Sequence, residues 1–222
     1  MKGSSCFTAT TRPAPRLRLV LGLFGFVSVA LLLGGCLSRP SIKTQTFAFS
    51  IPSPAGTNNA PEVHVLAIRA LQISPPFDGR PLVYRTGDFS YERDPYAEFL
   101  SSPAEELAGS ISTILVADGC FSAVVGMGSA AKPDTMVEIN VNQLYGDIRE
   151  PASPFAVLAV QVIFVKATND LPGKVILQRS YWRRVPVKSA TPAEFMKGWN
   201  EALVEIFSEV KSDLRSRKNL RV

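Results

Sequence analysis

Cys36 is the residue of this chain best placed to do chemistry. It closes the stretch Leu31-Leu32-Leu33-Gly34-Gly35-Cys36, and the polar Ser38-Arg39-Pro40-Ser41 follows almost at once. A thiolate is a strong nucleophile, and two glycines before it leave the backbone open to a protease. A cysteine so placed is a candidate for modification by the cell, the edge of a membrane helix or half of a disulfide. The other candidates are sparse. His64 is the single histidine, and Cys6 and Cys120 are the remaining cysteines. One histidine without a cysteine pair does not make a zinc site of the usual ligand types. No Gly-x-Ser-x-Gly elbow is present, and the run from Gly126 to Lys132 has the wrong spacing for a phosphate loop. Glu92, Asp94 and Glu98 stand near tyrosines and could in principle move protons, but turn-forming, solvated acids explain them equally well. His64 reads as a hydrogen-bonded residue of a central strand and Cys120 as a buried small hydrophobe. The expectation is no enzyme, no metal and no cofactor beyond a covalent lipid on Cys36.

The segment that must position Cys36 is short. Leu19 to Leu33 is uncharged over fifteen residues, about 22 Å as a helix against the ~30 Å of a bilayer's hydrocarbon core. Lys2, Arg12, Arg16 and Arg18 precede it, and no acid occurs among the first 35 residues. A positive leader, a short apolar run and a small-residue exit describe a secretory signal rather than a stop-transfer anchor. Leu33-Gly34-Gly35-Cys36 resembles the bacterial lipobox, in which the cysteine is acylated and becomes the first residue. An uncleaved short anchor, or an ordinary signal with an incidental cysteine, is the alternative. Two or more acyl chains hold a protein stably, where one chain binds only marginally. By the same resemblance, Leu37 in place of Asp favours the outer membrane.

Without residues 1–35 the chain keeps twenty basic and nineteen acidic residues. The charge of +5 therefore belongs mostly to the leader, which argues against a nucleic-acid partner. Cys120 is then the one unmodified thiol, so no internal disulfide is expected and stability must come from a packed core.

Along the remaining chain, alternation or apolar runs predict strands over Thr44–Ile51, Val63–Leu71, Leu82–Tyr84, Phe121–Met127, Val137–Asn142, Phe155–Val165 and Val175–Val185. A hairpin is expected over Thr168–Lys174. Two helices open with nearly the same words. Ser102-Pro103-Ala104-Glu105 and Thr191-Pro192-Ala193-Glu194 each offer a hydroxyl cap, a first-turn proline and a glutamate at the third position. Leu107, Ile111, Ile114 and Leu115 stripe the first helix, and Gly119 ends it. Phe195, Trp199, Leu203, Ile206, Val210 and Leu214 stripe the second. Its basic end (Lys211, Arg215, Arg217, Lys218, Arg221) suits a helix C-terminus. The reading is three strands, a helix, four strands and a helix: a single α/β domain, mostly antiparallel, with two amphipathic helices packed on the sheet. The boundaries are 1–35 for the signal, 36–42 for the lipidated cysteine and tether, 43–217 for the domain and 218–222 for a frayed basic tail.

With these elements in place the chain resembles the ABC-type transport auxiliary lipoproteins, relatives of paraquat-inducible lipoprotein C. The likeness rests on "FDGRPLVYR" (Phe77 to Arg85), a tyrosine-rich strand "YERDPYAEFLSSP" (Tyr91 to Pro103) and a helix ending "ADGCFSAVV", framed by the lipobox and the C-terminal helix. Many members carry Trp near the position of Phe99. The resemblance implies an outer-membrane-anchored periplasmic accessory of an ABC-linked lipid transport system. Its partner would be a mammalian-cell-entry (MCE) domain protein, with a ring-forming homo-oligomer as some relatives make. A domain of this size has a radius of gyration of ~16 Å, so a docking partner must reach it across the periplasm. Exposed tyrosine and arginine favour interfaces, which marks Tyr84, Arg85, Tyr91 and Tyr96 as candidate partner-binding residues. Packing of the sheet rim is the alternative for each. Tyr181-Trp182-Arg183-Arg184 alternates faces and is read as an ordinary strand. A structural or pilotin-like assembly lipoprotein of another envelope complex is the rival function.

Overall fold

The computed structural model describes residues 43–52, 64–117, 119–126, 128–167 and 173–219, with side chains to 216. All belong to one compact unit, Lys43–Val222. Cys36, the leader, the tether and most of the hairpin expected over 168–174 lie outside them.

Eight strands form one sheet: β1 (Gln45–Phe47), β2 (Val65–Ile73), β3 (Pro81–Arg85), β4 (Tyr91–Phe99), β5 (Ala123–Gly126), β6 (Thr135–Asp147), β7 (Phe155–Lys166) and β8 (Val175–Pro186). Helix α1 (Pro103–Ala117) follows β4, and α2 (Pro192–Asn219) follows β8. The α/β class and the two helices are as expected; the strand directions are not. Among the described strands, β1–β4, β2–β5, β2–β6 and β3–β6 are parallel, while β3–β4, β6–β7 and β7–β8 are antiparallel. The sheet is mixed. Parallel neighbours need a crossover, and the stretch through β3, β4 and α1 supplies one between β2 and β5. The tyrosine-rich segment is a full strand, so four strands precede α1 instead of three. Helix α2 runs to Asn219, and the last residues of the expected tail, 220–222, lie outside the described ones.

β6 is the spine. β2 and β3 lie end to end along one of its edges, pairing with Thr135–Val141 and with Gly146–Asp147 respectively, and β7 runs along the other. This register gives the sheet two distinct ends. The ends of β3, β6 and β8 and the starts of β4, β7 and α2 gather at one. The starts of β2, β5, β6 and β8 gather at the other.

The core lies between the sheet and the helices. Leu66, Ile139, Leu158 and Phe164 meet Leu107, Ile111 and Leu115 of α1 and Phe195, Trp199, Leu203, Ile206, Phe207 and Val210 of α2, all essentially buried. Both helices begin at the proline of their motif, Pro103 and Pro192. Ser102 O and Thr191 O accept the N–H of Glu106 and Phe195. In the first, Glu106 rather than Glu105 reaches back. It accepts from Ser101 N at 2.8 Å and from Phe49 N at 3.0 Å, tying the chain after β1 to α1. Gly119 has φ 66°, the left-handed terminator that only glycine adopts without strain.

Strand β8 is fastened to α2 by ions. Arg183 donates to Glu205 and Glu209, Arg179 to Glu209 and Asp213, and the Tyr181 hydroxyl to Asp213 at 2.6 Å. Trp182 and Arg184 occupy the opposite face. There Trp182 donates to Gln143 at 3.2 Å and the Arg184 guanidinium lies 3.4 Å from the Phe155 ring centre. The face alternation of this segment is as the sequence predicts.

Candidate functional site

Strands β3 and β4 are joined by Thr86-Gly87-Asp88-Phe89-Ser90. Thr86 N and Gly87 N both donate to Ser90 O, at 3.0 and 3.4 Å. At the apex Phe89 is 98% exposed, the most exposed large apolar side chain described. The turn beneath it is held by two arginines. Arg85 Nε donates to Gly87 O at 3.2 Å and its Nη2 to Asp88 O at 2.8 Å. Arg149, just past β6, donates to both oxygens of Asp147, at 3.0 and 2.9 Å, and reaches Asp88 Oδ1 at 2.8 Å. Asp147 is itself buried, and its hydrogen bonds from Arg149 hold its carboxyl below the ordinary range.

Around this clamp sits an aromatic cluster on the sheet face away from α2. Tyr145 stacks on Phe77 at 5.6 Å and meets Tyr91 edge-on at 5.4 Å, and the Arg85 guanidinium lies 5.9 Å from the Tyr91 ring centre. Burial raises the Tyr145 hydroxyl's pKa, opposed by a hydrogen bond with Arg85. Two arginines, two aspartates and a wall of rings thus fix a turn that presents one phenylalanine to the outside.

The four candidate residues are distributed unevenly around this end. Arg85 and Tyr91 come together on the outer face, and Tyr91 is 42% exposed. Tyr84 points the other way, packing on Phe195 at 5.3 Å and donating its hydroxyl to Asp94 at 2.9 Å. Tyr96 stands apart in a bulge of β4, where Asp94 Oδ1 accepts the N–H of Tyr96 and Ala97. The bulge leaves it 57% exposed. Arg85 and Tyr84 are therefore committed internally, and Tyr91 and Tyr96 are the accessible pair. The nearby acids have structural partners: Asp94 holds the bulge, and Glu98 pairs with Arg80 at 2.6 Å. Phe89, Asp88, Asp147 and Arg149 were not among the sequence candidates. The available signal was a bulky apolar residue inside the polar turn Thr86–Ser90, where turn chemistry calls for small or polar side chains.

The far end of the sheet holds a cleft of about 470 Å³, lined by His64, Cys120, Phe121, Lys166, Ile176 and Leu214 among others. Its volume falls in the range of small-molecule sites. His64 lies just before β2 rather than inside it, and its carbonyl accepts from Ser122 N and Oγ at 2.9 Å. Cys120 is half-buried at the cleft wall rather than enclosed in the core. Asp134 is occupied structurally, accepting the Val65 N–H at 2.9 Å. No cluster of three metal-ligating side chains occurs among the described residues.

Tyrosines dominate the alkaline response. Burial, followed by the hydrogen bond to Asp94, raises the Tyr84 hydroxyl, and burial with Asp213 does the same for Tyr181. For Tyr84, Tyr145 and Tyr181 the folded state keeps the proton that the unfolded chain sheds near pH 10. Their contribution is complete below pH 10 and is lost as pH rises beyond it. Stability measured by urea unfolding is expected to fall from about pH 10 upward, and less steeply in Tyr181→Phe. An unchanged slope in that variant would count against the assignment.

No helix among the described residues is long and apolar enough to cross a membrane. Two solved structures share the fold. One, a crystal structure of a Xanthomonas campestris protein, has a TM-score of 0.60 at 13% identity, covering 83% of this chain and 94% of its own. The other, of an uncharacterized protein, has a TM-score of 0.61 at 12% identity, covering 78% and 99%. Among curated proteins no relative matches in sequence. The family model described as "ABC-type transport auxiliary lipoprotein component" matches residues 47–210, from β1 through most of α2; the chain belongs to the ABC-type transport auxiliary lipoprotein family.

Proposed function

We propose that this protein is a non-catalytic accessory of an ABC/MCE-type lipid transport system. Acylated Cys36 anchors it in the outer membrane facing the periplasm, and the transporter docks on it there. The observation that carries this reading is the family match over residues 47–210, joined to a lipobox-like Leu33-Gly34-Gly35-Cys36. Energy for transport comes from separate chains. The partner is an MCE-domain protein, and the exposed Tyr96 and Tyr91 contribute to the contact. Tyr84 and Arg85 shape that surface from behind. Self-association into a ring is part of the same proposal.

Metabolic labelling with radioactive palmitate is expected to mark the wild-type product and leave Cys36→Ser unmarked. Affinity purification of the acylated protein is expected to recover an MCE-domain protein. Tyr96→Glu should reduce that recovery about tenfold, the loss of one interface anchor worth ~1.4 kcal/mol. Recovery of a secretin or pilus subunit in its place would favour the rival assembly role.

A further inference from the structure

We propose that the β3–β4 turn is a membrane finger, with Phe89 entering the same lipid leaflet that holds the acyl chains of Cys36. The inference rests on the anchored reading above and adds a second, protein-borne contact with the bilayer.

Strand polarity carries the argument. β1 is parallel to β4, with Gln45 opposite Ala97 and Phe47 opposite Phe99. β4 starts at Tyr91, opposite Arg85, beside the turn. β1 therefore runs away from the Phe89 end, so its first residue is the one nearer that end. Gln45 pairs close to the level of Pro81, which lies opposite Glu98. Four residues of strand from there to Arg85 span ~13 Å. Cys36 precedes Gln45 by nine residues, which reach about 30 Å at full extension. The anchor can thus lie level with the turn, and the cleft lined by His64 and Lys166 faces away from the leaflet.

The turn is built for such a contact. Its apex is a 98% exposed phenylalanine on a backbone pinned at both Gly87 O and Asp88 O by Arg85. Burying a carbonyl without a partner is costly, and here those carbonyls bring their donors with them. The Asp88 carboxylate is paired with Arg149, so its charge is compensated locally. Tyr91 borders the apex, half-exposed, as amphipathic rings do at head-group depth. Glu92 and Glu150 are exposed at the same end and set the limit of entry: the apex goes in and the shoulders stay among head groups.

The test uses the full acylated protein reconstituted into phosphatidylethanolamine/phosphatidylglycerol vesicles, in a Cys120→Ala background. A nitroxide is placed at Phe89→Cys or, as control, at Val175→Cys. Val175 is 51% exposed and starts β8 at the opposite end of the sheet. Relaxation by oxygen reports the bilayer, and relaxation by a water-soluble nickel chelate reports solvent. The label at 89 is expected to favour oxygen and be shielded from nickel, with the reverse at 175. Intact mass establishes acylation in the same sample. An acylated, vesicle-bound protein whose label at 89 remains nickel-accessible overturns the finger and leaves the anchor standing. The finger is also overturned if the label is immobilised only on adding the MCE-domain protein, because the turn would then be a protein contact.

Discussion

Trp199→Ala is expected to cost about 3–5 kcal/mol of folding stability, the range for truncating a large buried aromatic. Trp199 is fully buried where α2 crosses the sheet. Its ring lies 5.9 Å from that of Phe195 and 6.1 Å from that of Phe99, linking the helix to the end of β4. Its Nε1 donates to Tyr145 O at 3.3 Å, a carbonyl of the spine strand with no access to solvent through the packed helix. Alanine removes the indole's volume, both ring contacts and that donor together. Domains of this kind have about 5–15 kcal/mol in hand, so the variant should unfold at markedly lower urea with an unchanged m-value. Trp199→Phe separates the contributions: it keeps most of the packing, loses the hydrogen bond and should cost ~1–2 kcal/mol. Equal losses in the two variants would mean that packing against Phe99 and Phe195 contributes little.

Gly146→Ala should also be disruptive, from the opposite cause. A Cβ at Gly146 would meet Phe195 Cε1, Cζ and Cδ1 at 2.7, 2.8 and 2.9 Å, closer than such atoms approach. The Phe195 ring has little freedom to retreat, since Tyr84 at 5.3 Å and Trp199 at 5.9 Å flank it. Overpacking of this sort costs about 1–3 kcal/mol. The consequence reaches the β3–β4 turn, because the next residue is Asp147, which orients Arg149 and through it Asp88. A nitroxide at Phe89→Cys should gain mobility when Gly146→Ala is added. Phe195→Leu should restore part of the loss, and the double-mutant coupling measures the contact directly. Additive effects would show that the two residues do not oppose each other across the interface.

Much of the fold was legible locally. The repeated Ser/Thr-Pro-Ala-Glu openings mark both helix starts because capping uses residues within one turn. The 3.6-residue stripe from Phe195 to Val210 names the core face of α2 because burial repeats with the helix period. Strand directions were another matter. Alternating hydrophobicity reads the same whichever way a neighbour runs, so it cannot separate a parallel partner such as β2 from an antiparallel one such as β7. The tandem seating of β2 and β3 along β6 has no local signature at all. Tyr84 and Tyr91 show the same limit at a site: seven residues apart and alike in type, they fall on opposite faces once the register of β3 and β4 is set.

The clamp beneath Phe89 follows from that register. Arg149 stands 61 positions from Asp88, and nothing in either neighbourhood announces the pair. What the chain announces by itself is everything carried by near neighbours: the helix starts, the amphipathic stripes and the block from Phe77 to Pro103 on which the family resemblance rests. What tertiary structure alone decides is which end of the sheet gathers Phe89 and Arg149, and which end opens into a cleft. That division is physical. Caps and periodicity depend on contacts within a few residues, whereas register and polarity emerge only when distant strands commit to one set of backbone hydrogen bonds.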